Sequence, residues 1–227
     1  MGQPIYLSTE DHERISDAVT QAERSTSCEI VTVLADRSDG YADVQLAWAA
    51  LGALLTLLSF ALLPAWPLAV ANAALGSWNT EWHPQGIFVL ASFAAASVFA
   101  IIWLIQQWDA VRFALVPGPI RDRRVHDRAL RAFRLGAERR TLGRTGILIY
   151  LSMREHRAEI IADQSIAEKV DPDVWGDALH SLLQELKQGR TAKGMIAAAT
   201  KVGAVLSEHL PIADDDVNEL PDRLIEV

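Results

Sequence analysis

Two long stretches without a charged residue constrain this chain more than any other feature. They cover 44–63 and 86–105, with 20 residues each, and Glu81 is the one charge in the whole region from Val44 to Trp108. A helix of 20 residues is about 30 Å long, which matches the hydrocarbon core of a bilayer. A helix in the core of a soluble protein would keep a polar face, and neither stretch has one. The sequence therefore predicts a transmembrane hairpin over 44–108.

Residues flanking the two stretches support the same interpretation. Pro64 and Pro67 are expected to end or kink the first helix. Small residues such as Gly52 and Ala95 would let the two helices pack closely. Tryptophans occur near the ends of both spans, where amphipathic rings prefer the level of the lipid headgroups. They are Trp48, Trp66, Trp78, Trp82, Trp103 and Trp108.

The distribution of charge predicts the orientation of the hairpin. Residues 109–144 contain ten arginines and four acids, whereas the connector over 64–85 contains no lysine or arginine. The positive-inside rule places the arginine-rich side in the cytoplasm, and two spans return both termini to that side. The net charge of the whole chain is −8, which argues against a nucleic-acid partner.

The flanking segments read as one α/β domain that the hairpin interrupts. Runs rich in β-branched residues predict strands over 28–35, 146–152 and 156–162, the last two as a hairpin. Apolar periodicity predicts helices that begin near Ser8 and cover 121–140, 174–186 and 195–206. A helix between two buried strands favours a parallel crossover. We therefore expect 1–43 and 109–210 to form one domain, followed by an acidic tail over 211–227.

Several of these segments, in this order, resemble the TPM domain family. The closest likeness is to bacterial TPM-type membrane proteins. It rests on SCEIV (27–31), RTGILIYLS (144–152), AEIIAD (158–163) and NELPDRLIEV (218–227), with a tryptophan-containing helix and a glycine-punctuated last helix. The resemblance implies a small sheet sandwiched between helices, and a location in the bacterial inner membrane as a multi-pass protein.

The resemblance also implies candidate activities, because phosphatase activity and divalent-metal binding are ascribed to some relatives. This sequence departs from the common layout of the family in two ways. Many relatives carry the domain outside the cytoplasm on a separate anchor, whereas here the anchor interrupts the domain. A region that is glycine-rich in many relatives reads ADQSI here, over 162–166.

Aspartates at strand ends are the candidate metal ligands. Asp163 ends the third strand, and Asp171 and Asp173 follow it closely. Carboxylates that follow strands are where α/β domains place ligands, and oxygen ligands suit Ca²⁺ or Mg²⁺. The alternative is that these acids cap helix N-termini. Asp36 and Asp39, after the first strand, raise the same two possibilities.

The arginines after the second span form a second candidate site. Arg121, Arg123, Arg124 and Arg128 could bind anionic lipid headgroups, although they could equally be only the topology signal. The acidic tail could be solvated, docked on the domain or bound to a partner. The single cysteine, Cys28, allows no internal disulfide and is expected to be buried.

No complete catalytic motif is present in the sequence. The six histidines have no paired ligand spacing, and no serine has a GxSxG context. These observations favour a membrane-anchored accessory or protein-interaction module without an evident cofactor. Its partners would be the bilayer and another membrane or cytoplasmic protein. The alternative is a divalent-metal-dependent phosphatase.

Overall fold

The structure is a computed structural model that describes residues 7–76, 82–136, 145–212 and 222–227. The chain divides into two compact units: residues 1–39 with 118–227, and residues 40–117. The α/β unit contains α1 (Thr9–Glu23), β1 (Glu29–Ala35), α6 (Gly118–Gly136), β2 (Gly146–Ser152), β3 (Arg157–Ala162), α7 (Gln164–Ala167), a 3₁₀ helix (Pro172–Trp175), α8 (Gly176–Lys187), α9 (Thr191–His209) and β4 (Ile225–Glu226). The helical unit contains α2 (Ala42–Leu62), α3 (Ala65–Leu75), α4 (Pro84–Ile105) and α5 (Asp109–Leu115).

A mixed sheet with the strand order β3-β2-β1-β4 is the centre of the α/β unit. β1 and β2 are parallel, and their register joins Glu29 to Gly146 and Ala35 to Ser152. β2 and β3 form an antiparallel hairpin. The predicted parallel crossover and the predicted hairpin are both confirmed. β3 lies at the edge of the sheet and is therefore only half-buried, whereas β1 and β2 are buried along their whole length.

Alternating side chains cover the two faces of the sheet with separate cores. On one face, Ile30, Leu34 and Ile149 pack against α1, α8 and α9. On the other face, Val33 and Tyr150 pack against α6. This two-residue alternation is what a strand imposes when both of its faces are covered. The α/β fold class and the predicted sandwich of helices around a small sheet are confirmed.

Particular residues determine where α1 begins and how closely α1 and α9 pack. Ser8 and Asp11 form a capping box at the start of α1, as the sequence predicts. α1 and α9 approach closely at Gly203, where an added Cβ would lie 2.5 Å from Cβ of Ala22. The glycine in the last helix therefore lets the backbones of two helices meet. Cys28 is buried, as predicted.

The helical unit pairs α2 with α4. Both helices are long and apolar enough to cross a membrane, and less than a fifth of either apolar window is buried within the protein. Their contact is tight, because an added Cβ at Gly52 would overlap Cδ1 of Ile102. α2 ends before Pro64, and Pro67 is accommodated in the first turn of α3, where a proline costs little.

Several elements differ from the sequence prediction: α5, α7 and the 3₁₀ helix were not predicted, and α9 begins at Thr191 rather than at 195. The helix expected over 121–140 starts earlier, at Gly118, and is described to Gly136. The tail, for which solvation was one expectation, forms a short strand at its end. β4 pairs in parallel with β1, and Leu224 is buried in the first core. The aspartates of the tail before residue 222 lie outside the described residues, as do Trp78 and Glu81.

Candidate functional site

The edge of the sheet where β1 and β2 both end is the natural place for a site in a fold of this kind. The chain leaves β1 at Asp36 and leaves β2 at Met153. The turn after β2 bonds back to the end of β1, with Met153 N–H donating to Ala35 O at 2.9 Å and Arg154 N–H donating to Asp36 O at 3.0 Å. These main-chain bonds hold the segment after β1 against the β2–β3 turn.

A buried polar cluster, formed by Ser38, Tyr150, Ser152 and Glu155, lies at this edge. The hydroxyls of Ser38 and Tyr150 are 3.1 Å apart, and Ser38 donates to Ser152 Oγ at 3.0 Å. Ser152 Oγ donates to Glu155 Oε2 at 2.5 Å, and Ser38 N–H donates to Glu155 Oε1 at 2.9 Å. A single carboxylate therefore accepts bonds from the segment that follows β1 and from the last residue of β2.

Charged side chains surround this cluster. Arg154 Nε lies 2.9 Å from Asp36 Oδ1, and Arg124 Nη1 lies 2.8 Å from Asp39 Oδ2. Burial raises the pKa of the Tyr150 phenol, while its hydrogen bond with Ser38 and the positive charge of Arg128 oppose that rise. The phenol therefore stays protonated and can act as a hydrogen-bond donor at neutral pH.

The chemistry available to the cluster is limited by its burial. A serine hydroxyl that donates to a carboxylate is the pairing from which a nucleophile can be activated. However, Ser38 is 9% exposed, and the other three members are 1% exposed or less. In this conformation the cluster ties two segments of the fold together, and an external substrate does not reach its oxygen atoms.

Asp163, the first predicted metal ligand, lies at the opposite edge of the sheet. Because β3 is antiparallel to β2, its last residue returns to the edge where β1 and β2 begin, and Asp163 N–H donates to Gly146 O at 2.9 Å. The seven residues of β1 separate that edge from Asp36 by roughly 20 Å. The structure therefore does not bring Asp163 together with Asp36 or Asp39.

Asp171 and Asp173, the other two predicted ligands, are exposed at the start of the 3₁₀ helix. Asp171 occupies the N-cap position, and its side chain accepts from Asp173 N–H at 3.0 Å. This is the capping role that the sequence left open as an alternative. Within the described residues, no group of three or more histidine, cysteine or acidic side chains is placed to hold a metal ion. The metal site stays a prediction.

The four arginines predicted to meet lipid headgroups all lie on α6, and they differ in exposure. Arg123 and Arg128 are exposed, whereas Arg121 and Arg124 are partly buried. Arg124 pairs with Asp39, as described above. Arg128 acts on the Tyr150 phenol, so the helix brings positive charge to the buried polar cluster as well as to solvent.

Sequence reasoning did not find a second group of acids, around Glu23. Ile30 N–H donates to Glu23 Oε1 at 2.6 Å, and Glu23 Oε2 is buried. Burial raises the pKa of the Glu23 carboxyl to about 9, with further increases from the negative charges of Asp222 and Glu29. Thr20 Oγ1 donates to Asp222 Oδ2 at 2.6 Å.

The end of the chain brings Asp222 to this position. β4 lies beside β1, with Val227 N–H donating to Leu34 O and Asp36 N–H donating to Val227 O, both at 2.9 Å. His12 Nε2 lies 3.0 Å from Glu226 Oε1. The apolar residues of LIEV, at 224–227, were the one sequence signal for this strand, and the acidic residues before them obscured it.

Comparison with known proteins agrees with this fold. A family model described as the TPM domain matches residues 111–205. The chain is also similar to the BA42 protein from the psychrophilic bacterium Bizionia argentinensis, whose structure was determined by NMR. The identity is 19%, the TM-score is 0.56, and the match covers 100% of this chain and 99% of that chain. At this identity the likeness concerns the fold alone.

No curated protein matches the chain. The matched region contains β2 and β3, which carry two of the four sequence motifs of the resemblance, whereas SCEIV at 27–31 and NELPDRLIEV at 218–227 lie outside it. Residues 111–205 therefore match the TPM domain family, and the fold of the whole chain is similar to that of BA42.

Proposed function

We propose that this chain is a membrane-anchored TPM-like module that acts by binding other proteins. In this proposal the α2–α4 hairpin spans the bacterial inner membrane and both termini are cytoplasmic. One observation carries the proposal: two paired apolar helices, which leave most of their side chains uncovered, are inserted between the parallel strands of a TPM domain.

The uncovered surface of the hairpin favours lipid as its solvent. Phe88, Val89 and Phe93 are 70% exposed or more, and the exposed leucines of α2 extend along the same helix pair. A soluble monomer rarely exposes an apolar patch larger than a few hundred Å². At 1.5 Å per residue, the 21 residues of α2 are about 31 Å long, enough to cross the hydrocarbon core.

The polar groups within the hairpin satisfy each other, as a bilayer requires. Gln45 and Gln106 are buried and donate reciprocally, Gln45 Nε2 to Gln106 O at 3.3 Å and Gln106 Nε2 to Gln45 O at 3.1 Å. Trp48 Nε1 donates to Leu115 O at 3.1 Å. These bonds lie towards one end of the two helices, where the chain enters and leaves the proposed span.

The arginines of α6 support the proposed orientation. α6 begins at Gly118, directly after the helical unit ends at residue 117. Exposed arginines so close in sequence to a span would lie near the cytoplasmic leaflet, and each contributes about 1 kcal/mol of attraction to anionic lipid there. In this proposal Arg123 and Arg128 contact headgroups, with Arg121 and Arg124 nearby.

Site-specific thiol labelling in intact cells tests the topology. Cys28 is 2% exposed and should react slowly, so a thiol introduced at an exposed position would dominate the signal. We expect Ala74→Cys in α3 to react with an impermeant reagent from outside the membrane. Glu208→Cys, at the exposed end of α9, should react only after the cells are broken. The reverse pattern would show the orientation to be wrong.

Photo-crosslinking tests the interaction role. Val174 is 41% exposed and lies beside Trp175 on the α/β unit, so a photoreactive residue there should capture a neighbouring protein in intact membranes. The same residue at Glu208 provides an exposed control of the opposite polarity. A discrete, reproducible adduct at position 174 would support the interaction role. Its absence in membranes that hold the full-length chain would count against it.

A metal-dependent phosphatase is the second candidate. The Ser152–Glu155 pair is the observation that favours it, and this activity would require the segment over the buried cluster to open, because substrate does not reach the pair in this conformation. The pair offers a hydroxyl and a carboxylate 2.5 Å apart, with Arg128 near the adjoining Tyr150. Purified full-length protein would then hydrolyse a phosphate ester in the presence of Ca²⁺ or Mg²⁺. The substitutions Ser152→Ala and Asp163→Asn separate the Ser152–Glu155 pair from the metal site predicted at Asp163. Lack of turnover with any divalent ion would eliminate this candidate.

A further inference from the structure

The outer edge of β1 is covered by another strand over only part of its length. Residues 222–227, here called the β4 segment, pair with β1 at Val33 and Leu34, which are two of its seven residues. Further along the same edge, Ile30 N–H donates to the side chain of Glu23 and not to a neighbouring strand. An edge of this kind presents main-chain groups to which an extended segment can add as a strand.

Two polar atoms at this edge are buried and make no hydrogen bond within the part of the chain that the structure describes. They are Oε2 of Glu23 and Oγ1 of Thr32. Thr32 is 1% exposed, and it shares a face of β1 with Ile30 and Leu34 because side chains alternate along a strand. Burying a polar atom without a partner is costly. The β4 segment therefore covers this edge without satisfying all of its polar groups.

The charge of the β4 segment also fits this edge poorly. Asp222, which accepts from Thr20 Oγ1 at 2.6 Å, lies beside Glu23. Burial, with the negative charge of Asp222 adding to it, raises the pKa of the Glu23 carboxyl to about 9. The β4 segment is thus held next to a carboxyl that must keep its proton. A lysine in place of Asp222 would instead pair with the ionised carboxylate and would bring several hydrogen-bond donors.

Other side chains of the β4 segment fit the edge well. Leu224 is buried in the core on the α1 face of the sheet. Glu226 Oε1 lies 3.0 Å from His12 Nε2, and Val227 N–H donates to Leu34 O. The edge therefore suits an extended segment with an apolar residue followed, two positions later, by an acidic one.

We propose that the outer edge of β1 is the surface on which the α/β unit binds its protein partner, an extended segment that adds parallel to β1 in place of the β4 segment. The partner segment has a lysine at the place of Asp222, an apolar residue at that of Leu224 and an acidic residue at that of Glu226. The β4 segment is then an internal competitor, which covers the edge until the partner binds. This inference rests on the proposed interaction role and specifies its surface.

Fluorescence anisotropy of labelled peptides, added to the detergent-solubilised full-length chain, tests the proposal. One peptide has the sequence of residues 222–227, and the other has the same sequence with Asp222→Lys. We expect the lysine peptide to bind saturably and about tenfold more tightly than the unchanged peptide, because it gains an ion pair with Glu23. In a Glu23→Gln chain this preference for lysine should largely disappear.

Weakening the attachment of the β4 segment should strengthen peptide binding, an effect that a merely structural role of this segment would not produce. Leu224→Ala in the chain removes the buried side chain that holds the internal competitor, so we expect several-fold tighter binding of the lysine peptide. Leu186→Ala is the matched control, because Leu186 is 7% exposed in the same core but lies on α8, which packs beside β3. It should leave the affinity unchanged.

Three results would overturn the proposal. They are no saturable binding of the lysine peptide to a Leu224→Ala chain that is folded by circular dichroism, a preference for lysine that survives Glu23→Gln, and an equal gain in affinity from Leu186→Ala. If Leu224→Ala does not fold, the comparison of the two peptides on the wild-type and Glu23→Gln chains decides the question.

The lysine peptide also separates this surface from the interaction role itself. If an adduct forms from position 174 in membranes and excess lysine peptide abolishes it, the partner binds at the edge of β1. If the adduct forms equally well with excess peptide, the interaction role stands and docking at the edge of β1 is wrong.

Discussion

Replacing Glu23 by glutamine isolates the effect of one proton on the attachment of the end of the chain. The carboxyl accepts from Ile30 N–H at the edge of β1 and lies beside Asp222 and Glu29, so the folded protein favours its neutral form. Glutamine retains the acceptor oxygen for Ile30 and stays neutral at every pH. The substitution therefore reproduces the protonated wild type in nearly the same volume.

The expected effect depends on pH with a definite sign. In the unfolded chain the carboxyl titrates near 4.5, whereas in the folded protein its pKa is about 9. The stability that the protonated group confers is complete below pH 4.5 and is lost as the pH rises towards 9. A tenfold change in protonation corresponds to about 1.4 kcal/mol, which gives an upper bound of about 3.4 kcal/mol at pH 7. Glu23 is partly exposed, so we expect Glu23→Gln to stabilise the fold by about 1–2 kcal/mol there.

Amide hydrogen exchange measures this effect locally. Protection of β1 and of residues 222–227 is compared between the variant and the wild type at the same pH, so that intrinsic exchange rates cancel. Glu208→Gln, at an exposed position on α9, is the matched control and should show no pH-dependent difference. Equal protection of Glu23→Gln and the wild type at pH 7, or a difference of the same size at pH 4.5, would refute the reasoning.

The remaining predictions concern the hairpin, the polar cluster and the independence of the two units. Gly52→Ala should destabilise the detergent-solubilised hairpin by about 1–3 kcal/mol in thermal unfolding. In the double variant, Ile102→Val should recover much of that loss, because it removes the methyl group that the added Cβ would meet. Additive effects of the two substitutions would argue against this contact. Glu155→Ala should lower the free energy of unfolding, measured with denaturant, by about 2–4 kcal/mol, because it leaves Ser38 N–H and the Ser152 hydroxyl without their acceptor. An unchanged free energy of unfolding would contradict these hydrogen bonds. A short Gly/Ser linker in place of 40–117 should yield a soluble, folded α/β unit, because Arg124, about 9 Å along α6 from Gly118, contacts Asp39; an insoluble product with no native circular dichroism would refute it.

The sequence predicts best those elements whose burial requires apolar side chains at many consecutive positions. CEIVTVLA and GILIYLS are apolar on both faces, because helices cover both sides of β1 and β2. Such a pattern is typical of the central strands of a sheet. The two uncharged stretches predict their helices equally clearly. Gly203 could be assigned to a helix from its context, although its contact with Ala22 required the fold.

The candidate sites are harder to predict, because they join residues that periodicity does not connect. Ser38, Tyr150 and Glu155 lie in a loop, a strand and a turn, and each is unremarkable in its own segment. Glu23 reads as an ordinary surface residue of an amphipathic helix until the last residues of the chain fold beside it. The aspartates after the strands predict a ligand site, because α/β domains often place ligands there. However, the antiparallel pairing of β3 with β2 places Asp163 at the edge of the sheet opposite Asp36 and Asp39.

The position of the hairpin within the fold couples the completion of the sheet to the proposed insertion in the membrane. Glu29 pairs with Gly146, so β1 lacks its central neighbour until the chain has passed through both spans. Contacts at such sequence separation form slowly, and an unpaired apolar strand is prone to associate with other chains. Early insertion of the hairpin would hold the two halves of the domain at one surface and raise their effective concentration. β4 then pairs with the outer edge of β1, and Glu23 accepts from Ile30 N–H where β4 does not reach. The outer edge of β1 is therefore synthesised early but is covered only when the last residues of the chain have folded.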